Sequence, residues 1–351
     1  MAVTKISPET FLQKQQYAPV LDVRSPSEFK HAHIPGAFSF PLFTDSERAL
    51  VGTYYKQQSR ETAIKMGLDF FGLKMRKMVE DAEKIISQNG PNQTESGKQA
   101  ILVHCWRGGM RSAAVAWLLD LYGFEVFTLE GGYKRFRNWV LAQFEKEYPV
   151  RLLGGYTGSG KTDVLNALCQ KGELVLDLEK IARHKGSAFG NLGMPAQPTQ
   201  EQFENELATS LYLLMQKNNS DKEIWVEDES QRIGDVNIPI IFWKNMRKRK
   251  IAFLEISFEE RLNYLVREYG KHEKERLVNA IIRIKKRLGG LETKEAVNAL
   301  IEDRTADCFR ILLHYYDKWY LKGLNNRDNL DQLLIKTTCE TVSETNALRL
   351  L

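Results

Sequence analysis

The chain has 351 residues, 43% hydrophobic and 27% charged, which points to a folded protein of two domains rather than a disordered or fibrous one. No apolar run approaches the ~20 residues of a membrane-spanning helix, MAVTKISPETFLQ holds no signal-peptide core, and Cys105, Cys169, Cys308 and Cys339 form neither a CxxC pair nor a zinc or disulfide framework, so a reducing cytoplasmic setting is expected. The net charge of +5, split +3 in residues 1–149 and +2 in 150–351, is too mild and too evenly spread to name a nucleic-acid partner by itself.

In chain order, Val20 to Val23 within APVLDVRSPSEF reads as a short buried strand, and Pro35-Gly36 as a turn. Residues 44–87 carry helical spacing, clearest in MRKMVEDAEKII. Residues 88–99 form a polar loop. AILVHC is a buried strand that runs into a cysteine loop. RSAAVAWLLDLYGF is a helix ending near Gly123, and EVFTLEGGYKRFRNWV adds a strand, a Gly-Gly turn and a helix. This alternation predicts a small α/β domain with a parallel sheet over residues 1–140. Pro149 ends a helix and opens a second α/β unit over 148–351. Its strands are VRLLGG, ELVLDL, EIWVED and KIAFLEIS, and YTGSGKT leads into the helix DVLNALCQKG. After Phe258 the pattern predicts helix to the end.

Two loops carry the chemistry. HCWRGGMRS, His104 to Ser112, puts a cysteine after a buried strand and before a helix, where N–H groups and the helix dipole stabilise negative charge on sulfur. Gly108 and Gly109 let the backbone curl inward, Arg111 offers a fork to an oxyanion, and Arg107 adds charge. A lone cysteine is by default a packed one; the glycines and arginines argue for a nucleophile.

GYTGSGKT, Gly155 to Thr162, matches the G-x4-G-K-[ST] phosphate loop in its strand–loop–helix setting. Gly155, Gly158, Ser159 and Gly160 form the cradle, Lys161 neutralises phosphate, and Thr162 can ligate magnesium. Such a cradle accepts ATP or any diphosphate ester. Asp177, Glu227, Asp228 and Glu229 are candidate magnesium or acid/base groups, with strand alternation expected to put Glu227 and Glu229 on one face. Arg183, His184 and Lys185 are candidate phosphate or RNA contacts. WKNMRKRK, 243–250, and IIRIKKR, 281–287, are basic runs that usually mark solvated helix faces.

DVRSPSEFKHAHIPGAFSFPL, together with the cysteine loop, resembles a rhodanese domain, whose loop cysteine carries a persulfide. The His-Cys-x5-Arg spacing is also similar to that of cysteine-dependent phosphatases, one residue longer than the usual rhodanese loop. The chain as a whole resembles the tRNA 2-selenouridine synthases, on LDVRSPSEFKHAHIPGA, FTDSERALVGTYYKQQSRETAIKMG, HCWRGGMRS, EGGYKRFR, GYTGSGKT, DLEKIARHKGSAFG and VEDESQRIG, from about residue 4 to about 235.

The resemblance implies an enzyme acting on the anticodon arm of tRNA bearing wobble 2-thiouridine. It implies selenophosphate as selenium donor, made by a partner enzyme, and geranyl diphosphate as an alkyl donor that gives an S-geranyl intermediate. On that implication Cys105 takes selenium as a perselenide while Arg111 and Arg107 hold the phosphoryl oxygens. Lys161, Thr162 and magnesium would then hold the diphosphate, with the helical C-terminal third a wall for the geranyl chain. The rivals are a cysteine-dependent phosphatase or sulfurtransferase with an appended nucleotide-binding domain, and a regulatory RNA-binding protein.

Overall fold

The computed structural model describes residues 3–88, 97–218 and 222–351, so most of the polar loop expected at 88–99 lies outside the described residues. The chain divides into two units, Met1–Gln143 and Phe144–Leu351. Among the described residues no helix is long and apolar enough to cross a membrane.

The first unit runs β1 (Thr4–Ile6), α1 (Pro8–Lys14), β2 (Val20–Asp22), α2 (Pro26–His31), β3 (Phe38–Ser39), α3 (Asp45–Gln57), α4 (Arg60–Gln88), β4 (Ala100–His104), α5 (Met110–Tyr122), β5 (Glu125–Leu129) and α6 (Gly132–Gln143). Its strands pair in parallel in the order β1-β5-β4-β2-β3. β4 is central and buried at every position, which is why AILVH reads as a continuous apolar run. Ser7 and Thr44 cap α1 and α3. Leu21, Val23, Ile101, Val103, Val115 and Leu119 pack with Phe71, Met78 and Ile86 of α4 into one core. That core fixes the strand ends from which the cysteine loop springs.

The second unit runs β6 (Val150–Gly155), α7 (Lys161–Gln170), β7 (Leu174–Leu176), α8 (Leu178–Ala182), α9 (Gln200–Lys217), β8 (Ile224–Glu227), β9 (Arg232–Ile233), β10 (Val236–Asn237), α10 (Ile240–Met246) and β11 (Ile251–Glu255). Then come α11 (Phe258–Tyr269), α12 (Lys274–Arg283), α13 (Lys285–Leu288), α14 (Gly290–Ile301), α15 (Thr305–Asn325), α16 (Leu330–Leu333) and β12 (Leu334–Thr338). The parallel sheet has the order β12-β11-β6-β8-β7, with β9 and β10 a separate antiparallel pair. β12 corrects the expectation of helix from Phe258 to the end. It is a largely exposed edge strand, read only by its parallel pairing with β11, and its local pattern follows a long helical run. Helices α11 to α15 share a core of Leu262, Leu265, Ile281, Leu300, Phe309 and Leu312 with Phe189.

Candidate active site

β4 delivers Cys105 to the carboxyl end of its sheet, where parallel sheets bind ligands. Cys105 is buried. Its Sγ lies 3.2 Å from Ser112 Oγ, and the same hydroxyl donates to the Gly109 carbonyl at 3.1 Å. The loop enters α5 through Gly109, with no side chain capping the helix, so the first N–H groups of α5 are left for an anion.

The Gly131-Gly132 turn is the backstop of this loop. The N–H groups of Tyr133 and Lys134 donate to the carbonyls of Cys105 and Trp106, each at 2.9 Å. Gly132 has φ +61°, and a Cβ there would collide with the Cys105 carbonyl oxygen and the Gly108 nitrogen. Only glycine permits that approach.

Arg111 rises from the first turn of α5, and its Nη1 donates to Glu28 Oε2 at 2.9 Å. Glu28 also accepts the Ser25 N–H at 3.1 Å. Burial works against its charge, but the hydrogen bond and charge of Arg111 outweigh burial and hold the carboxyl below its ordinary range. Arg107 is exposed. Beneath the loop, buried Arg24 grips Asp22 with Nε and Nη2 at 2.9 and 2.6 Å, donates to the Ala32 carbonyl at 2.7 Å, and lies 3.8 Å over the Tyr133 ring. His104 sits 3.7 Å from Asp22. Desolvation drives its pKa down to about 4 despite that carboxylate, so it is neutral. The histidine of the HC pair is thus held as a buried, neutral packing residue beside Cys105. Glu28, Ser112 and the Gly132 turn were not singled out from the sequence; only EGGYKRFR, as a conspicuous Gly-Gly turn, hinted at the last.

The Gly155 loop passes from β6 to α7 with Gly155, Gly158 and Gly160 all at positive φ. Ser159 is buried within it. Lys161 Nζ donates to the Gly155 carbonyl at 3.0 Å, and Thr162 Oγ1 donates to Glu179 Oε2 at 3.0 Å. Arg261 of α11 braces the loop from behind. It donates to the Thr157 carbonyl at 3.1 Å and forks onto Asp317 of α15 at 2.8 Å twice. Tyr320 accepts the Gly155 N–H at 3.2 Å and donates to Asp228 at 2.9 Å. A cleft of about 460 Å³ opens over the loop. Its floor is residues 157–163, and its walls include Glu179, Lys185 and Glu229 with Tyr264, Leu265, Tyr269, Tyr315, Tyr316 and Trp319 of α11 and α15.

The four carboxylates singled out in sequence go to different work. Asp177 caps α8, accepting the Lys180 N–H at 2.7 Å. Glu227 is fully buried and accepts the Leu178 N–H at 2.9 Å; desolvation, then the charges of Asp177 and Glu179, push its pKa well up. Asp228 borders the cleft but is engaged by Tyr320 and by the buried Arg327. Glu229 faces the cleft, and desolvation followed by the Glu179 charge raises its pKa to about 8. The alternation expected to pair Glu227 with Glu229 fails because β8 ends at Glu227. The carboxylate at the Thr162 hydroxyl is Glu179, also raised by desolvation, which the sequence reading passed over.

Arg183, His184 and Lys185 also part. Arg183 ends α8 with φ +53° and pairs with Glu206 at 3.1 Å. His184 is half-buried, its pKa lowered chiefly by desolvation. Lys185 alone of the three lines the cleft. In the basic runs, Arg247 donates to the carbonyls of Gly323 and Asn326 and Arg249 pairs with Glu147, while Arg287 reaches the cleft.

Residues 148–348 match the family described as tRNA 2-selenouridine synthase AAA domain, and residues 7–138 match the rhodanese-like domain family. A tRNA 2-selenouridine synthase of Bdellovibrio bacteriovorus is 33% identical over 93% of this chain and 94% of that relative. One from Pseudomonas putida is 32% identical over 86% of each chain. One from Nitrosomonas europaea is 38% identical over 72% of this chain and 63% of that relative.

Proposed function

The chain belongs to the tRNA 2-selenouridine synthase family, and from that premise we propose how its two loops divide the formation of 2-selenouridine in tRNA. The Gly155 loop takes geranyl diphosphate and alkylates the sulfur of a wobble 2-thiouridine, which turns a poor leaving group into a good one. The Cys105 loop takes selenophosphate and supplies the selenium that replaces the alkylated sulfur. The nucleoside is unstacked to be reached.

The observation that carries the alkylation half is the continuity of the cleft. A phosphate cradle runs directly into Tyr264, Leu265, Tyr269, Tyr315 and Trp319, a wall suited to an isoprenyl chain. Lys161 and the loop N–H groups would hold the departing diphosphate, whose developing charge such donors stabilise. Among the described residues no trio of His, Cys, Asp or Glu stands in metal-ligating arrangement. A magnesium ion bound mainly by phosphate oxygens needs only one or two protein groups. The Thr162–Glu179 pair fits that demand, and the ion would supply positive charge beside the diphosphate. Selenophosphate is a phosphate-sized anion, matched to Arg111, Arg107 and the N–H groups at the start of α5.

The test is nucleoside mass spectrometry on thiolated tRNA incubated with the protein, geranyl diphosphate and selenophosphate, without ATP. S-geranyl-2-thiouridine with the first donor alone, and 2-selenouridine with both, are the expected products. A strict requirement for ATP in the alkylation would overturn the reading of the Gly155 loop.

A further inference from the structure

On the reading that selenophosphate is the ligand of the Cys105 loop, we infer that Cys105 attacks its phosphorus, not its selenium. Ser112, in the first turn of α5, lies 3.2 Å from Sγ, so that turn opens beside the sulfur. The uncapped N–H groups of α5 and Arg111, the residue before Ser112, belong to that same turn, and such groups bind oxyanions. They therefore draw the phosphoryl oxygens down onto the cradle. Phosphorus then stands over Sγ, and selenium, the fourth substituent, points out of the loop. Attack on selenium would need the reverse pose, with the phosphoryl oxygens turned away from every donor.

Electron bookkeeping agrees. Selenophosphate holds selenium as selenide and phosphorus fully oxidised. A perselenide on Cys105 would leave the Se–P bonding pair on phosphorus, releasing phosphite, or would need an added oxidant. Attack on phosphorus needs neither. The Cys105 thiolate forms an S–P bond and the P–Se bond breaks; its electron pair leaves on selenium, which takes the proton of monohydrogen selenophosphate and departs as hydrogen selenide anion. That anion adds to C2 of the alkylated nucleoside and displaces the alkyl thiolate. Water then cleaves the S–P bond, giving orthophosphate and the free thiolate. Ser112 suits the last step: its hydroxyl, 3.2 Å from Sγ and now donating to Gly109, can turn its proton to the sulfur as negative charge returns there.

The test incubates the full chain with selenophosphate carrying either radiophosphorus or radioselenium, followed by denaturation at neutral pH. Radiophosphorus bound to wild type, absent from Cys105→Ser and unaccompanied by radioselenium, is expected. In Ser112→Ala the bound radiophosphorus should rise several-fold while selenation slows, and Ser112→Thr should restore wild-type behaviour. Radioselenium held by the protein without radiophosphorus would overturn the inference, and so would the absence of radiophosphorus from both wild type and Ser112→Ala while wild type still makes 2-selenouridine. Failure of wild type to make 2-selenouridine from S-geranylated tRNA and selenophosphate would instead sink the reading of the loop's ligand.

Discussion

The Cys105 loop and the Gly155 loop each follow a buried parallel strand and enter a helix through a glycine, Gly109 in one and Gly160 in the other. Both offer uncapped N–H groups to an anion. They differ in how their charges are kept. At the first, Arg111 and Arg48 share the Glu28 carboxylate, and a neutral hydroxyl lies beside the sulfur. At the second, Lys161 lies back on a carbonyl, and Glu179, Glu227 and Glu229 all have raised pKa values. The first, with two arginines to one carboxylate, keeps net positive charge for the small anion proposed there. The second is crowded with carboxyl groups, so the diphosphate proposed for it would be held best with added positive charge or with those carboxyls protonated. On the proposed function, the same backbone device would serve substitution at one loop and leaving-group stabilisation at the other.

The sharpest way to break this division is to remove one chemical group from each loop. Cys105→Ala should lower selenation by at least about a thousandfold, since a nucleophile is lost outright, and leave geranylation intact by nucleoside mass spectrometry. Equal loss of both activities would refute the division. Lys161→Ala should lower geranylation by roughly a hundredfold, the usual cost of one charge-stabilising donor. Supplied with preformed S-geranylated tRNA, the same variant should selenate at the wild-type rate.

A packing change comes next. Gly132→Ala forces a Cβ against Cys105 and Gly108 at φ +61°. A strained position of this kind costs about 1–3 kcal/mol, so the melting temperature should fall and selenation should fall with it, while geranylation per folded molecule holds. Retained selenation would mean the turn does not shape the cysteine loop.

What the sequence made legible was local. Both loops announce themselves within nine residues, because strand, glycines and charged residue follow in order. What it hid was supplied from afar. Arg111 meets Glu28 across 83 positions, Tyr320 reaches Asp228 across 92, and Arg261 reaches Thr157 across 104. No periodicity links such pairs. Asp177 looked like a ligand because a helix cap and a metal ligand use the same side chain. β12 went unread because an exposed edge strand after a long helical stretch carries little apolar signal.

The smallest expected effect tests the carboxyl crowding at the second loop. The Glu229 carboxyl titrates near 8 in the folded chain, against an ordinary value of 4.5. Between those values the folded state holds a proton that the unfolded state has lost, so this group's contribution to stability is full below about 4.5 and drains away as pH rises to about 8. Glu229→Gln lacks that term. Relative to wild type it should gain stability steadily from pH 5 to pH 8 in denaturant melts. Above pH 8 the wild-type cleft acquires a further negative charge facing the diphosphate, so its KM for geranyl diphosphate should rise several-fold, by roughly the strength of one partly screened charge pair. In Glu229→Gln that rise should flatten, with selenation of preformed S-geranylated tRNA unchanged. A KM that climbs identically in both proteins would mean that Glu229 does not face the bound diphosphate.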